Sequence, residues 1–177
     1  DVSFLIRKNG ELYNDALKKS FSTYLPDYVL KMFPSEISEN LASLHENEER
    51  LCVTTEIKIS KDYEILDYKF YRAIIKSKKQ FNYEEVKDII NNDYYFEENI
   101  LILLKNIFKI YQNISKENKL KIPEIIFDNE IKTIYLDSIH EMIEELMILN
   151  NRLVAEDLKK RKKNFLGRNH KAPELDK

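Results

Sequence analysis

The sequence contains little glycine and cysteine and no tryptophan. Gly10 and Gly167 are the only glycines among 177 residues, and Cys52 is the only cysteine. A P-loop needs two glycines within one short loop and the dinucleotide-binding fingerprint needs three, so both motifs are absent. A single cysteine also excludes an intrachain disulfide and a cysteine-based zinc cluster.

Long apolar runs and a strong net charge are lacking as well. No apolar run approaches the ~20 residues that cross a membrane. Lysine and arginine total 29 against 31 aspartates and glutamates, which argues against a histone-like protein that binds nucleic acid by bulk charge. The near-equal numbers of basic and acidic residues do not exclude a local basic groove. Residues 159–163 form the one dense basic cluster, interpreted either as a solvated helix end or as a phosphate-contacting patch.

Alternating apolar residues predict antiparallel strands. Every second position from 51 to 59 is mostly apolar, and the same spacing recurs over 66–72. The polar segment 60–64 between them is typical of a hairpin connection. Residues 1–8 are predicted to form a buried strand, and residues 125–127 a short one.

Most of the remaining chain is predicted to be helical. Asn82 and Glu85 match a capping box, and a broad apolar stripe covers residues 99–119. Ser138 and Glu141 match a second capping box, which opens a helix that runs into the basic cluster. The patterns together predict an α+β fold in which helices pack on a mixed or antiparallel sheet.

Candidate chemical groups are few. His45, His140 and His170 have no histidine or cysteine neighbour at metal-ligand spacing, so each is interpreted as structural. Glu144 and Glu145 lie in an apolar helical segment, so one of them must point towards the buried side or its edge. Two interpretations stay open: a solvated face, and a carboxylate in a cleft that accepts a hydrogen bond from a ligand hydroxyl.

Two tyrosines are placed at the ends of predicted elements. Tyr24 precedes Leu25-Pro26 in a segment that must be extended or turn-like, and Tyr83 begins a helix. Rings at such positions can project into a groove, where each stacked base contributes about 1–3 kcal/mol. The other interpretation of both residues is an ordinary core tyrosine.

Several segments form an ordered set along nearly the whole chain. They are residues 1–3, 22–27, 32–34, 37–44, 49–52, 68–75, 81–86, 140–148 and 168–173. Examples are Tyr24-Leu25-Pro26 and the helix that begins His140-Glu141-Met142-Ile143-Glu144-Glu145. In this order and spacing, the set resembles the catalytic (RNB) domain of the ribonuclease II / ribonuclease R exoribonucleases.

The resemblance implies an α+β RNB domain of which residues 1–177 are the central part. The catalytic aspartates of the family would precede Asp1, and its arginine segment would follow Lys177. Full-length members are implied to be processive, Mg²⁺-dependent hydrolases that release nucleoside 5′-monophosphates from the 3′ end of single-stranded RNA. We therefore expect no catalytic residue and no metal ligand within this chain, and no nuclease activity from the chain alone.

The resemblance also implies RNA-binding roles for three residues. Tyr24 matches a tyrosine that stacks on a base, Tyr83 matches one packed against the 3′-terminal nucleotide, and Glu144 matches a glutamate near the terminal sugar. A family phenylalanine that stacks on bases falls within residues 120–138 but matches no unique residue. We further expect a cytoplasmic, monomeric protein without a membrane partner.

Two other hypotheses stay open. The chain is a non-catalytic RNA-binding or assembly module that kept the fold, or a helical protein-interaction domain whose resemblance is due to chance. In the last case Tyr24, Tyr83 and Glu144 do not converge in space. The choice between the ribonuclease II and ribonuclease R subtypes also stays open.

Overall fold

Helices and short antiparallel strand pairs make up the part of the chain that the structure describes. The computed structural model describes residues 1–115, 124–128, 130–134 and 137–167. Its helices are α1 (Val2–Leu5), α2 (Glu11–Lys19), α3 (Tyr83–Asn92), α4 (Glu98–Ile114) and α5 (Ser138–Lys160), with one π-helical turn at Glu36–Leu41. Its strands are β1 (Thr23–Tyr24), β2 (Val29–Leu30), β3 (Glu49–Ile59), β4 (Ile65–Lys76), β5 (Glu124–Asp128) and β6 (Glu130–Ile134).

Among the described residues, the strands pair in chain order as three separate two-stranded antiparallel sheets, β1–β2, β3–β4 and β5–β6. The predicted α+β class is therefore confirmed.

The β3–β4 hairpin follows the predicted alternation. Thr55 pairs with Phe70 and Ile57 with Tyr68, so these four side chains lie on one face. Helix α5 lies against this face, since the Thr55 hydroxyl donates to the side-chain oxygen of Asn150 (2.6 Å). The hairpin thus supports the longest helix of the described chain.

Helices α3, α4 and α5 bury the main hydrophobic core. Val86, Tyr111, Ile139 and Met142 are buried together at its centre. Partly buried apolar side chains surround them: Phe81, Ile90, Leu104, Ile107, Phe108 and Leu146. The apolar stripe predicted on α4 is confirmed, because the side of α4 that faces α3 and α5 packs into this core. This packing brings the first turn of α3 close to the first turn of α5.

The strand predicted for residues 1–8 is wrong. Residues Val2–Leu5 form a short helix instead, with Val2 and Phe4 exposed. A short continuous apolar run has no periodicity that separates a strand from a helix. The helix satisfies its backbone locally, because the Phe4 amide donates to the carbonyl of Asp1 (3.1 Å) and the Ile6 amide to that of Val2 (3.0 Å).

The capping box predicted at Ser138 is also wrong. Asp137 is the N-cap of α5, and its carboxylate accepts from the amides of Ile139 and His140 (both 3.1 Å). With Asp137 as the N-cap, Glu141 is the fourth residue of the helix and not the third, where a capping-box partner belongs. Its carboxylate accepts from the Tyr111 hydroxyl (2.8 Å). The helix ends at Lys160, a few residues before the predicted end near Lys163.

Some predicted features lie outside the described residues. These are the continuation of α4 over residues 116–119, His170, and the segment 168–173. The backbone of β5 confirms the short strand predicted at residues 125–127. The side chains of residues 120–136 lie outside the described part, so the stacking phenylalanine expected there stays a prediction.

Candidate functional site

Tyr83 and His140 form an aromatic stack where α3 and α5 begin. Their ring centroids lie 3.8 Å apart and the ring planes are inclined by 16°. Asn82 fixes the start of α3 through the predicted capping box, in which its side chain accepts from the Glu85 amide (2.8 Å) and Glu85 accepts from the Asn82 amide (2.9 Å). Tyr83 is 45% exposed, so part of its ring is open to solvent.

Asp137 holds the imidazole of this stack. A hydrogen bond of 2.8 Å joins Nδ1 of His140 to Oδ1 of Asp137, and Nζ of Lys87 lies 3.3 Å from Oδ2. The His140 hydrogen bond is the largest of several contacts that hold the pKa of Asp137 well below its usual range. Because an ionised carboxylate only accepts, Nδ1 of His140 carries the hydrogen. The imidazole orientation is thereby fixed from the N-cap of its own helix.

Glu144 lies one helical turn beyond His140 and is exposed. Residues four apart share a helix face, with Cβ atoms about 5–6 Å apart, so Glu144 lies on the same side of α5 as His140. Its neighbour Glu145 is buried. The prediction that one of the two glutamates points inward is therefore confirmed for Glu145.

Tyr111 on α4 lies against the acidic residues near the start of α5. Burial, followed by its hydrogen bond to Glu141, raises the pKa of Tyr111 to about 12, and the charges of Glu145 and Glu144 add to the shift. The hydroxyl therefore stays a neutral donor at physiological pH. Its bond to Glu141 joins α4 to the first turn of α5.

Tyr24 is on a different element from the other two predicted site residues. It ends β1, and the connection to β2 is closed by the Leu25 amide, which donates to the carbonyl of Tyr28 (2.8 Å). The predicted extended or turn-like conformation is confirmed. The Tyr24 side chain is 80% exposed, and it stacks on no other described aromatic ring. The structure thus stacks Tyr83 on His140 and places Glu144 one turn further along α5, whereas Tyr24 takes no part in that stack.

A groove of about 470 Å³ adjoins the β1–β2 hairpin. Its walls include three aromatic rings and two lysines: Phe21, Tyr28, Phe33, Lys19 and Lys31. The sequence patterns assign no binding role to these residues.

Of the two stacked residues, His140 is the one that the sequence analysis does not assign to the site. It was interpreted as structural because it has no metal-ligand neighbour. Its contact with Tyr83 joins two helices far apart in the sequence, which no local spacing reveals. The available signal was its place at the start of the same motif that contains Glu144.

Part of the basic cluster is engaged in contacts within the chain. Nζ of Lys160 donates to the Tyr68 hydroxyl (2.9 Å) and lies 5.0 Å from the centre of that ring. Arg161 pairs with Asp157 at 2.8 Å. These contacts favour the helix-end interpretation of residues 159–163.

Metal-ligating side chains do not converge in the described part of the chain. Within residues 1–115 and 137–167, no group of three or more His, Cys, Asp or Glu residues is placed to hold a metal ion. The residues at the starts of α3 and α5 therefore do not fit a Mg²⁺ site. In the same part of the chain, no helix is long and apolar enough to cross a membrane.

Residues 1–177 match the family model described as the RNB domain. The chain belongs to the RNB domain family. The hypothesis of a chance resemblance is thereby excluded.

The RNB relatives include proteins named ribonuclease R. The ribonuclease R of Buchnera aphidicola subsp. Acyrthosiphon pisum is 35% identical over 192 residues, which cover 99% of this chain and 26% of that protein. The structure of Mycoplasma genitalium RNase R in complex with ribose-methylated single-stranded RNA is 30% identical, with a TM-score of 0.80, over 91% of this chain and 28% of that one. The chain thus spans about a quarter of the length of these relatives.

The RNB fold alone does not decide the activity. Yeast Ssd1, described as a pseudonuclease, is 16% identical with a TM-score of 0.67, over 88% of this chain and 20% of that one. At this identity the likeness shows a shared fold and nothing about chemistry. The chemistry therefore depends on the individual residues of the site and not on the fold.

Proposed function

We propose that this chain is the central part of the RNB domain of a ribonuclease R-like enzyme, which removes nucleoside 5′-monophosphates from the 3′ end of single-stranded RNA. The observation that carries the proposal is a half-exposed tyrosine ring stacked on the first turn of α5, the helix that presents an exposed carboxylate one turn further on, in an RNB-family chain. Tyr83 and Glu144 supply these two groups. Their contribution is to bind and orient the RNA end.

Tyr83 is suited to stack on the terminal base. One face of its ring is covered by His140, so a base can stack on the opposite face. Stacking is tolerant of sequence because every base has a π-face, and it contributes about 1–3 kcal/mol per base. Holding the terminal nucleotide in this way helps align the scissile phosphate for in-line attack. Tyr24, exposed on the β1–β2 hairpin, is proposed to stack on another base of the strand.

Glu144 is suited to recognise ribose. A carboxylate accepts hydrogen bonds, and the 2′-hydroxyl is the donor that distinguishes RNA from DNA. The exposed position of Glu144 beside the stack makes such a contact accessible to the sugar of a base held by Tyr83.

The remaining parts of the proposal concern the whole protein. Hydrolysis is proposed to use Mg²⁺, which activates water and neutralises the leaving oxygen when bound. Its ligands are proposed to lie outside this chain, in the catalytic aspartate segment of the family. We propose that the protein acts in the cytoplasm as a monomer.

Trimming of labelled RNA tests this function. The full-length protein that contains this chain is incubated with 5′-labelled single-stranded RNA or DNA of one sequence. With Mg²⁺ we expect the RNA to shorten from its 3′ end and the DNA to persist, whereas the 177-residue chain alone leaves both intact. Glu144→Gln is expected to reduce the preference for RNA about tenfold, since a hydrogen bond to a charged group contributes about 1.5–3 kcal/mol.

Glu98→Gln is the matched control for the glutamate. It removes an exposed carboxylate from the first turn of α4, within the same bundle, and is expected to leave the preference unchanged. RNA that binds without being shortened in the presence of Mg²⁺ would support the non-catalytic RNA-binding module instead. An unchanged preference in Glu144→Gln would show that this carboxylate does not recognise the ribose.

A further inference from the structure

The contact between Tyr83 and His140 is a nearly parallel stack. The centroid distance of 3.8 Å and the inclination of 16° bring the two ring faces into close contact. A half-exposed tyrosine on the first turn of a helix would otherwise rotate among its side-chain rotamers. The imidazole restricts this rotation, so the ring is held in one orientation before any ligand arrives.

His140 is itself fixed by groups outside the stack. Nδ1 donates to Asp137, whose carboxylate also caps α5 and pairs with Lys87 on α3. Rotation of the imidazole would break the hydrogen bond to a carboxylate that is already held by both helices. Asp137, His140 and Tyr83 therefore form a continuous series of contacts from the N-cap of α5 to the tyrosine ring.

We propose that His140 is a positioning residue that holds the Tyr83 ring for the 3′-terminal base of RNA. The inference rests on the proposed function, because it assigns the base to Tyr83. His140 acts through the tyrosine and covers the face of the ring that the base does not use. Tyr83 therefore accepts a single base, on its outer face.

Alanine and aromatic replacements of His140 test the inference in the full-length protein. The affinity for 5′-labelled single-stranded RNA is measured without divalent metal, so that the RNA is not cut. His140→Ala is expected to weaken binding about two- to tenfold, the range that corresponds to the loss of an aromatic pair. His140→Phe keeps a ring against Tyr83 and is expected to restore affinity to within about twofold of the original protein.

A second variant separates the ring from the hydrogen bond and guards against misfolding of the alanine variant. His140→Gln keeps an N–H donor for Asp137 but has no ring, and it is expected to lose as much affinity as His140→Ala. A residue that only stabilised the fold would give a different order, with glutamine better tolerated than phenylalanine. That order would overturn the inference.

Combination with Tyr83→Ala shows whether His140 acts through the tyrosine. In the Tyr83→Ala background, a further His140→Ala change is expected to cost no additional affinity. An equal loss with and without Tyr83, or no loss from His140→Ala and His140→Gln while Tyr83→Ala weakens binding, would overturn the positioning role alone. Unchanged binding in Tyr83→Ala would instead contradict the proposed role of Tyr83, and the inference with it.

Discussion

Replacement of Tyr83 with alanine is expected to weaken the binding of RNA 3′ ends roughly tenfold to a hundredfold. The ring is the accessible half of the stack on His140, and its removal takes away one stacked base. A stacked base contributes about 1–3 kcal/mol, and about 1.4 kcal/mol corresponds to a factor of ten in affinity. Fluorescence anisotropy of 5′-labelled single-stranded RNA with the full-length protein, without divalent metal, measures the change.

Tyr94→Ala is the matched control for this measurement. Tyr94 lies just beyond the end of α3 and is more exposed than Tyr83, and it stacks on no described ring. We expect its affinity to stay within about twofold of the original protein, since surface substitutions away from contacts have small effects. Equal losses in the two variants would show that the tyrosines act through general surface properties and not through the stack.

Replacement of Met142 with alanine is expected to destabilise the protein by about 2–5 kcal/mol. Met142 is 3% exposed and lies in the core with Val86, Tyr111 and Ile139. The change removes apolar contacts and leaves a cavity that rigid helices fill only in part. Since domains are stable by about 5–15 kcal/mol, a large share of the total is lost. Urea unfolding followed by circular dichroism measures the free energy.

Met147→Ala is the matched control on the same helix. Met147 is 61% exposed, so its truncation is expected to change the free energy of unfolding by less than about 0.5 kcal/mol. Similar losses in both variants would contradict the burial of one side of α5 against α3 and α4.

Sequence patterns predicted those parts of the fold that depend on interactions between residues close together in the sequence. The β3–β4 hairpin follows from alternation that matches its register, and the start of α3 follows from the paired side chains of Asn82 and Glu85. The start of α5 was missed by one residue because Asp137 and Ser138 are both good N-cap residues. Glu141 then bonds to Tyr111 on another helix, which the sequence of α5 alone does not contain.

The candidate site was predicted only in part for a similar reason. The pattern around Glu144 and Glu145 showed that one glutamate points inward but not which one, since that depends on how α5 is rotated against its neighbours. Tyr83 and Glu144 are selected by resemblance, whereas the contact between Tyr83 and His140 arises from the packing of α3 on α5. Contacts between residues far apart in the sequence leave no local pattern, so the sequence alone does not predict the stack of Tyr83 on His140.

The proposed RNA binding depends above all on stacking of the terminal nucleotide on Tyr83. Photo-crosslinking tests it most directly, with a single-stranded RNA that carries 4-thiouridine at its 3′ end and the full-length protein without divalent metal. Mass spectrometry then locates the crosslinked residue. If the terminal base stacks on Tyr83, crosslinks form at Tyr83 or its immediate neighbours at the starts of α3 and α5, and they are lost in Tyr83→Ala. Crosslinks confined to residues elsewhere in the protein, with the same yield in Tyr83→Ala, would contradict it.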